Sequence, residues 1–372
     1  MRTDVLADTD PFGIEVVAQP LTAAGRAQTT ADVAEKIEQQ FSIPPLCEGG
    51  SAATLVPAPP SSAQEAAGAR FTRGQLVEVR SAREIVKTLD AEGKLDGVPF
   101  MPEMAVHCGR IFRVYRRADI TCVEGYGLRR MDDTVFLEDV RCDGSAHDGC
   151  QRRCLIFWKE AWLKPADHAP LVADKETERE ATTVLVKLPT REQNRYLCQS
   201  TALATATTNL PGWNLLPYMR QVRDGELTAP RLLQIIALVL VNMLRRSFGF
   251  KEIGGLTGPK SQSSKTNLAL QPGEWVRIKS PDEIHQTLDS AGRNRGLKFE
   301  PEMSESCGKL FQMDVPVTKM IREETGEMIE VKNTVTLKGL TCHGVCAKSC
   351  PRNNYWYWRE DWLERVPDPR RA

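Results

Sequence analysis

The sequence predicts an α+β protein made by tandem duplication of a small β-rich module, a partly open barrel or curled sheet. An α-helical segment joins the copies and a disordered region precedes them. Three observations carry this expectation. Residues 74–164 recur at 273–364, cysteines fall at equivalent points of both copies, and between them the apolar pattern changes from alternation to helical spacing. The implied division is 1–72 for the disordered region, 73–168 for the first module, 169–266 for the mainly helical linker and 267–366 for the second module.

The repeat is read residue by residue. Pro102-Glu103-Met104 and Cys108-Gly109 return 199 residues later as Pro301-Glu302-Met303 and Cys307-Gly308. The register then shifts by one, so that Cys142, Gly144, Trp158, Glu160 and Trp162 return 200 residues on as Cys342, Gly344, Trp358, Glu360 and Trp362.

Taken in order, residues 1–72 are rich in Ala, Pro, Ser and Gly, and Pro57–Ser62 reads as a solvated linker. Only Thr30–Phe41 has helical character, and Cys47 is an incidental thiol. Each module opens with an alternating strand, Leu76–Val79 or Trp275–Ile278. A helix follows, because Ser81 and Glu84, like Ser280 and Glu283, have the spacing of a capping box. Gly93 and Gly292 suit its C-terminal stop. The rest of each module reads as β: Ile111–Tyr115 and Thr134–Val140, then Leu310–Met313 and Ile329–Leu340, with a hairpin turn at Glu323–Gly326. The Gly-x-x-Val opening, at Gly74 and again at Gly273, resembles SH3-like barrels, a likeness of shape alone.

Between the modules Gln193–Thr208, Leu215–Val222 and Pro230–Phe248 read as helices. The apolar run Leu232–Leu244 spans 13 residues, short of the ~20 a membrane span requires. A buried helix packing the modules together is the first expectation, and peripheral membrane contact through 230–248 the second.

Composition narrows the classes. With 49 basic and 49 acidic side chains there is no net field to draw the chain to nucleic acid or to an acidic membrane. Met1–Asp10 lacks the basic and apolar regions of a secretory signal and is acidic where a mitochondrial presequence would be arginine-rich. A cytoplasmic protein is expected. In a reducing compartment, 11 cysteines clustered at equivalent points of a repeat point to metal rather than disulfides.

Cys108, Cys307, Cys142 and Cys342 each have Gly at the next position or the one after, which lets backbone N–H groups turn toward a bound thiolate. The remaining ligands depend on how the repeats are matched. Without gaps Cys150 matches Cys350, leaving His147 and Cys346 as near-equivalents. With two four-residue gaps Cys150 and Cys154 match Cys346 and Cys350, and this preferred version gives each module four cysteines, with His147 the alternative to Cys154. Four such donors close a tetrahedral structural zinc site, so two zinc ions per chain are expected. An iron–sulfur cluster is the alternative cofactor, and buried inert thiols the reading without metal.

Cys122 and Cys198 lack repeat partners and read as small core residues, with a reactive thiol the alternative. Glu103 and Glu302 read as capping groups that could also orient a ligand. Trp158 and Trp162, with Trp358 and Trp362, read as aromatics over a core edge, the glutamate between them facing solvent. Gly255–Ser264 lacks a phosphate-binding ending and reads as linker. His168, His285 and His343 are scattered. No catalytic motif is present. The leading expectation is a zinc-bearing scaffold that binds a protein or other macromolecule through paired surfaces. The second is a metalloenzyme or accessory protein of a bacterial biosynthetic pathway, with an iron–sulfur or open metal site.

Overall fold

The structure is a computed structural model that describes residues 70–166, 175–210, 214, 216–250, 255–259, 267–344 and 349–370. The expectations for Thr30–Phe41, Cys47, His168, Cys346 and residues 260–264 lie outside them.

The first module contains β1 (Leu76–Val79), β2 (Ile111–Arg117), β3 (Ile120–Val123), β4 (Gly127–Arg130), β5 (Thr134–Arg141), β6 (Leu155–Lys159) and β7 (Leu163–Pro165). The second contains β8 (Trp275–Ile278), β9 (Leu310–Pro316), β10 (Lys319–Ile321), β11 (Met328–Glu330), β12 (Thr334–Thr341), β13 (Tyr355–Arg359) and β14 (Leu363–Arg365). Five strands of each form an antiparallel sheet, ordered β6-β5-β2-β1-β7 and β13-β12-β9-β8-β14. The registers also repeat: Val77 faces Phe112 as Val276 faces Phe311, and Val135 faces Trp158 as Val335 faces Trp358. Irregular pairing at Val114–Arg116 and Met313–Pro316 bends both sheets at the same place. The result is a pair of curled half-barrels, the expected duplication of a β module.

Each sheet closes over the same aromatic core. Phe100 meets Trp162 edge-on at 5.4 Å, and Phe299 meets Trp362 at 5.3 Å. The indole N–H of Trp162 donates to Thr88 at 3.0 Å and that of Trp362 to Thr287 at 2.9 Å. This satisfies the one polar atom of a fully buried side chain. Glu160 and Glu360 do not face solvent as expected. Glu160 binds the Arg117 guanidinium and the Phe71 N–H, and buried Glu360 accepts from Leu268 N.

Both capping boxes form, at Ser81–Glu84 and Ser280–Glu283, but their helices are only five residues long, Ala82–Val86 and Pro281–His285. Gly93 and Gly292 lie beyond the helix ends, in tight turns with φ of 75° each. A helix at Lys175–Val186, not read from the sequence, packs on the first module, where the Glu178 carboxylate accepts from Ala82 N. The helix expected from Gln193 starts at Gln199, because Arg191–Glu192 and Arg195–Tyr196 first pair as a short ribbon. Gln199 then bonds both the N–H and the C=O of Phe157, each at 2.8 Å, occupying the edge of β6. Helices also span Leu216–Arg223 and Ala229–Ser247. The last is not the buried tie expected: Ile235 is 5% exposed, but Leu233 is 67% and Leu244 56%. Among the described residues no helix is long and apolar enough to cross a membrane.

The modules meet through reciprocal contacts. Arg152 donates to Ile321 O at 3.0 Å, and Arg352, its counterpart, donates to Cys122 O at 2.7 Å. Ile321 N lies 3.3 Å from Cys150 Sγ, and Cys122 N lies 3.2 Å from Cys350 Sγ. Residues 122 and 321 are repeat-equivalent, as are 150 and 350, so the junction has approximate two-fold symmetry, the pattern of an isologous dimer interface. Arg352 pairs with Glu323 at 2.6 Å and Arg152 with Glu124 at 2.8 Å.

Candidate metal centre

The connection between β5 and β6 carries Cys142, His147, Cys150 and Cys154. Its tight turn depends on Gly144, whose φ is 73° and where an added Cβ would lie 2.1 Å from Cys150 O. The N–H groups of His147 and Gly149 both donate to Gly144 O at 2.9 Å, and Cys142 N donates to Cys154 O at 2.9 Å. These bonds set the four candidate ligands along one small space, where Cys142 and His147, but not Cys150 or Cys154, belong to a group of donors within 4.8 Å of one another among the described residues.

Two further groups arrive from elsewhere. Glu103 comes from the 3₁₀ turn Pro102–His107, and Cys198 caps the helix Gln199–Ala206. Cys142, His147, Cys150, Cys154 and Cys198 line a cavity of about 30 Å³, with Ile321 of the second module on its wall. A water needs ~10–15 Å³, and organic ligands occupy hundreds. The space suits a single ion.

Glu103, Cys142 and His147 offer donor atoms that all lie within 4.8 Å of one another. Glu103 Oε1 is 3.2 Å from Cys142 Sγ and 3.1 Å from His147 Nδ1. Glu103 Oε2 is buried without a hydrogen-bond partner, while His147 Nδ1 has Glu103 Oε1 beside it. Buried polar atoms of that kind are uncommon and require an explanation. His147 Nε2 lies 3.1 Å from Leu197 O. A proton on Nε2 donated to that carbonyl would orient the ring with Nδ1 toward Glu103 and Cys142, as outer carbonyls orient metal-binding histidines.

The electrostatics have the same sense. Burial, followed by the charges of Glu103, Cys154 and Cys198, pushes the Cys142 thiol well above its ordinary range. Burial lifts Cys198 to about 12. Burial also raises Cys150, though N–H groups of Arg152 and Ile321 oppose it. For His147 burial disfavours the charge, yet Glu103 and the Leu197 carbonyl outweigh it and raise its proton affinity. A site this crowded with potential anions holds protons until a cation replaces them.

Cys108 does not line the cavity. Its thiol is pushed to about 12 by burial and then by the charge of Glu178. In the second module Cys307 is lifted by burial alone, Cys342 Sγ accepts from Gly344 N at 3.3 Å, and Cys350 faces Cys122. The turn itself repeats: an added Cβ at Gly344 would lie 2.4 Å from Cys350 O, and Cys342 N donates to Asn354 O at 2.7 Å. Cys350 therefore matches Cys150 and Asn354 matches Cys154, which corrects the preferred gapped pairing. Cys198 and Glu103 escaped the sequence reading as ligands, Cys198 because it has no repeat partner and Glu103 because capping accounts for a glutamate after proline.

No protein-family model, no curated protein and no solved structure matches this chain.

Proposed function

We propose that the chain is a zinc-binding scaffold whose ion sits in the first module, held by Cys142, His147, Cys150 and Cys154. The observation that carries this reading is the convergence of Glu103, Cys142 and His147, whose donor atoms lie within 4.8 Å of one another beside a cavity lined by further thiols. Three sulfurs and one imidazole suit zinc, a borderline-soft ion that takes four such donors tetrahedrally. Glu103 acts as the outer partner that orients Cys142 and His147, and Cys198 closes the cavity from the linker. In the second module Cys307, Cys342 and Cys350 do not come together as a ligand group among the described residues. The two half-barrels, joined at the junction, present paired surfaces to a macromolecular partner, and the apolar outer face of Ala229–Ser247 supplies contact area, for a protein or a membrane surface.

The test is metal analysis of protein purified without chelator. One zinc per colourless chain is expected, lost in Cys142→Ser and in His147→Ala and kept in Cys108→Ser; two per chain would extend the assignment to the second module. Iron with sulfide and broad visible absorption would overturn the zinc assignment in favour of an iron–sulfur protein. The competing metalloenzyme needs an open position, which cobalt substitution distinguishes: intense tetrahedral thiolate bands support closure, and weak five-coordinate bands that shift with added anions support an enzyme.

A further inference from the structure

A further cysteine contact among the described residues lies across the junction. Cys122 Sγ on β3 and Cys350 Sγ ahead of β13 are 3.4 Å apart. The pair is held there on both sides, since Cys122 N points at Cys350 Sγ from 3.2 Å and Arg352 donates to Cys122 O at 2.7 Å. Arg352 is fixed in turn by Glu323 and by Ser200. Among the described residues no third sulfur, imidazole or carboxylate completes a metal-ligating group with these two. The two-fold-related contact places Ile321 against Cys150, so two thiols meet on only one side of the junction.

We propose that Cys122 and Cys350 are an oxidation site at which peroxide joins the two modules by a disulfide. Cys350 is 3% exposed and Cys122 is partly exposed, so an oxidant enters past Cys122 and must be small, which excludes a protein thiol. The Cys350 sulfur attacks one peroxide oxygen, the O–O bond breaks, and water leaves as the sulfenic acid forms. The Cys122 sulfur then attacks that sulfenic sulfur, its S–O bond breaks, and the hydroxyl departs as a second water with the Cys122 proton. Two thiols are oxidised and one peroxide is reduced to two waters. Forming the bond closes the sulfurs from 3.4 Å to the ~2.05 Å of a disulfide. This site shares no residue with the zinc centre proposed in the first module.

The experiment treats the full chain, metal retained, with hydrogen peroxide, blocks free thiols and digests it with trypsin without reductant. The expected product is peptide Ala118–Arg129 linked to Ser349–Arg352, with a loss of two titratable thiols per chain. The linked species is absent from Cys122→Ala and from Cys350→Ala, each checked for native circular dichroism, and present in Cys108→Ala. Fragments from one proteolytic cut between the modules stay joined until reductant is added. Cys122 and Cys350 recovered as free thiols when other cysteines have oxidised, or Cys350 linked instead to Cys346, would overturn the proposal. So would the same mixture of pairings from native and denatured chains, because geometry then directs nothing.

Discussion

At the scale of single residues the first module carries an acid-sensitive group that the second lacks. His107 packs edge-on to Phe112 at 5.4 Å and Trp158 at 5.9 Å, and burial, then Arg110, lowers its pKa from 6.5 to about 4. A depressed folded-state pKa means stability that is complete above pH 6.5 and lost as pH falls toward 4. At 1.36 kcal/mol per unit this amounts to about 3 kcal/mol at most. His107→Gln should therefore flatten the pH dependence of urea unfolding in that window; an unchanged slope would remove His107 from the account. Gly144→Ala forces a Cβ into Cys150 O and a strained φ, so it should cost on the order of 2–4 kcal/mol and release metal, read by thermal unfolding with metal analysis. The repeat made Cys142, Cys150 and Gly144 legible in the sequence. It could not show which donors converge, because Glu103 and Cys198 lie 39 and 56 residues from Cys142 along the chain and only folding brings them in.

At the scale of elements, strands were read closely where apolar and polar residues alternate, as in Leu76–Val79 and Trp275–Ile278, which match to the residue. Helices were read less well. Lys175–Val186 buries only Ala181, Leu185 and Val186, a stripe too narrow to stand out among charged neighbours. Ala229–Ser247 was read as a helix correctly but placed wrongly, since an apolar run predicts burial without naming what covers it. Leu240→Gln and Leu244→Gln should leave urea unfolding within ~0.5 kcal/mol of the parent, because those side chains are 49% and 56% exposed. The same variants should weaken binding to vesicles or to a captured protein partner, and stability losses several times larger would mean that the face is packed. Trp162→Ala should cost ~3–5 kcal/mol and so should Trp362→Ala, as each empties an equivalent core. A large difference between the two in denaturant unfolding would count against equivalent modules.

At the scale of the molecule the junction is built on buried charge. Arg352 and Glu323 are 4% and 2% exposed at their side chains and pair at 2.6 Å. Removing one partner from such a pair strands the other, so Arg352→Met should destabilise by ~3–5 kcal/mol, whereas removing both, with Glu323→Gln, should recover part of the loss. Denaturant unfolding followed by tryptophan fluorescence reads both, and additive losses would show that the charges act separately. The sequence disclosed that there are two modules, but not that each reaches into the other. Contacts such as Arg152 with Ile321 and Arg352 with Cys122 become intelligible only when offsets of 200 and 199 are laid on one symmetry axis.

That axis has a consequence for how the chain can vary. In a dimer of identical subunits every substitution occurs twice, so a residue useful on one side must be tolerated on the other. Here each half has its own codons, and the two sides have separated: sulfur meets Ile321 on one and Cys122 on the other. The donor-rich turn with His147 and Cys154 likewise has Asn354 at its counterpart position. Joining the halves in one chain permits a symmetric frame with two different chemistries.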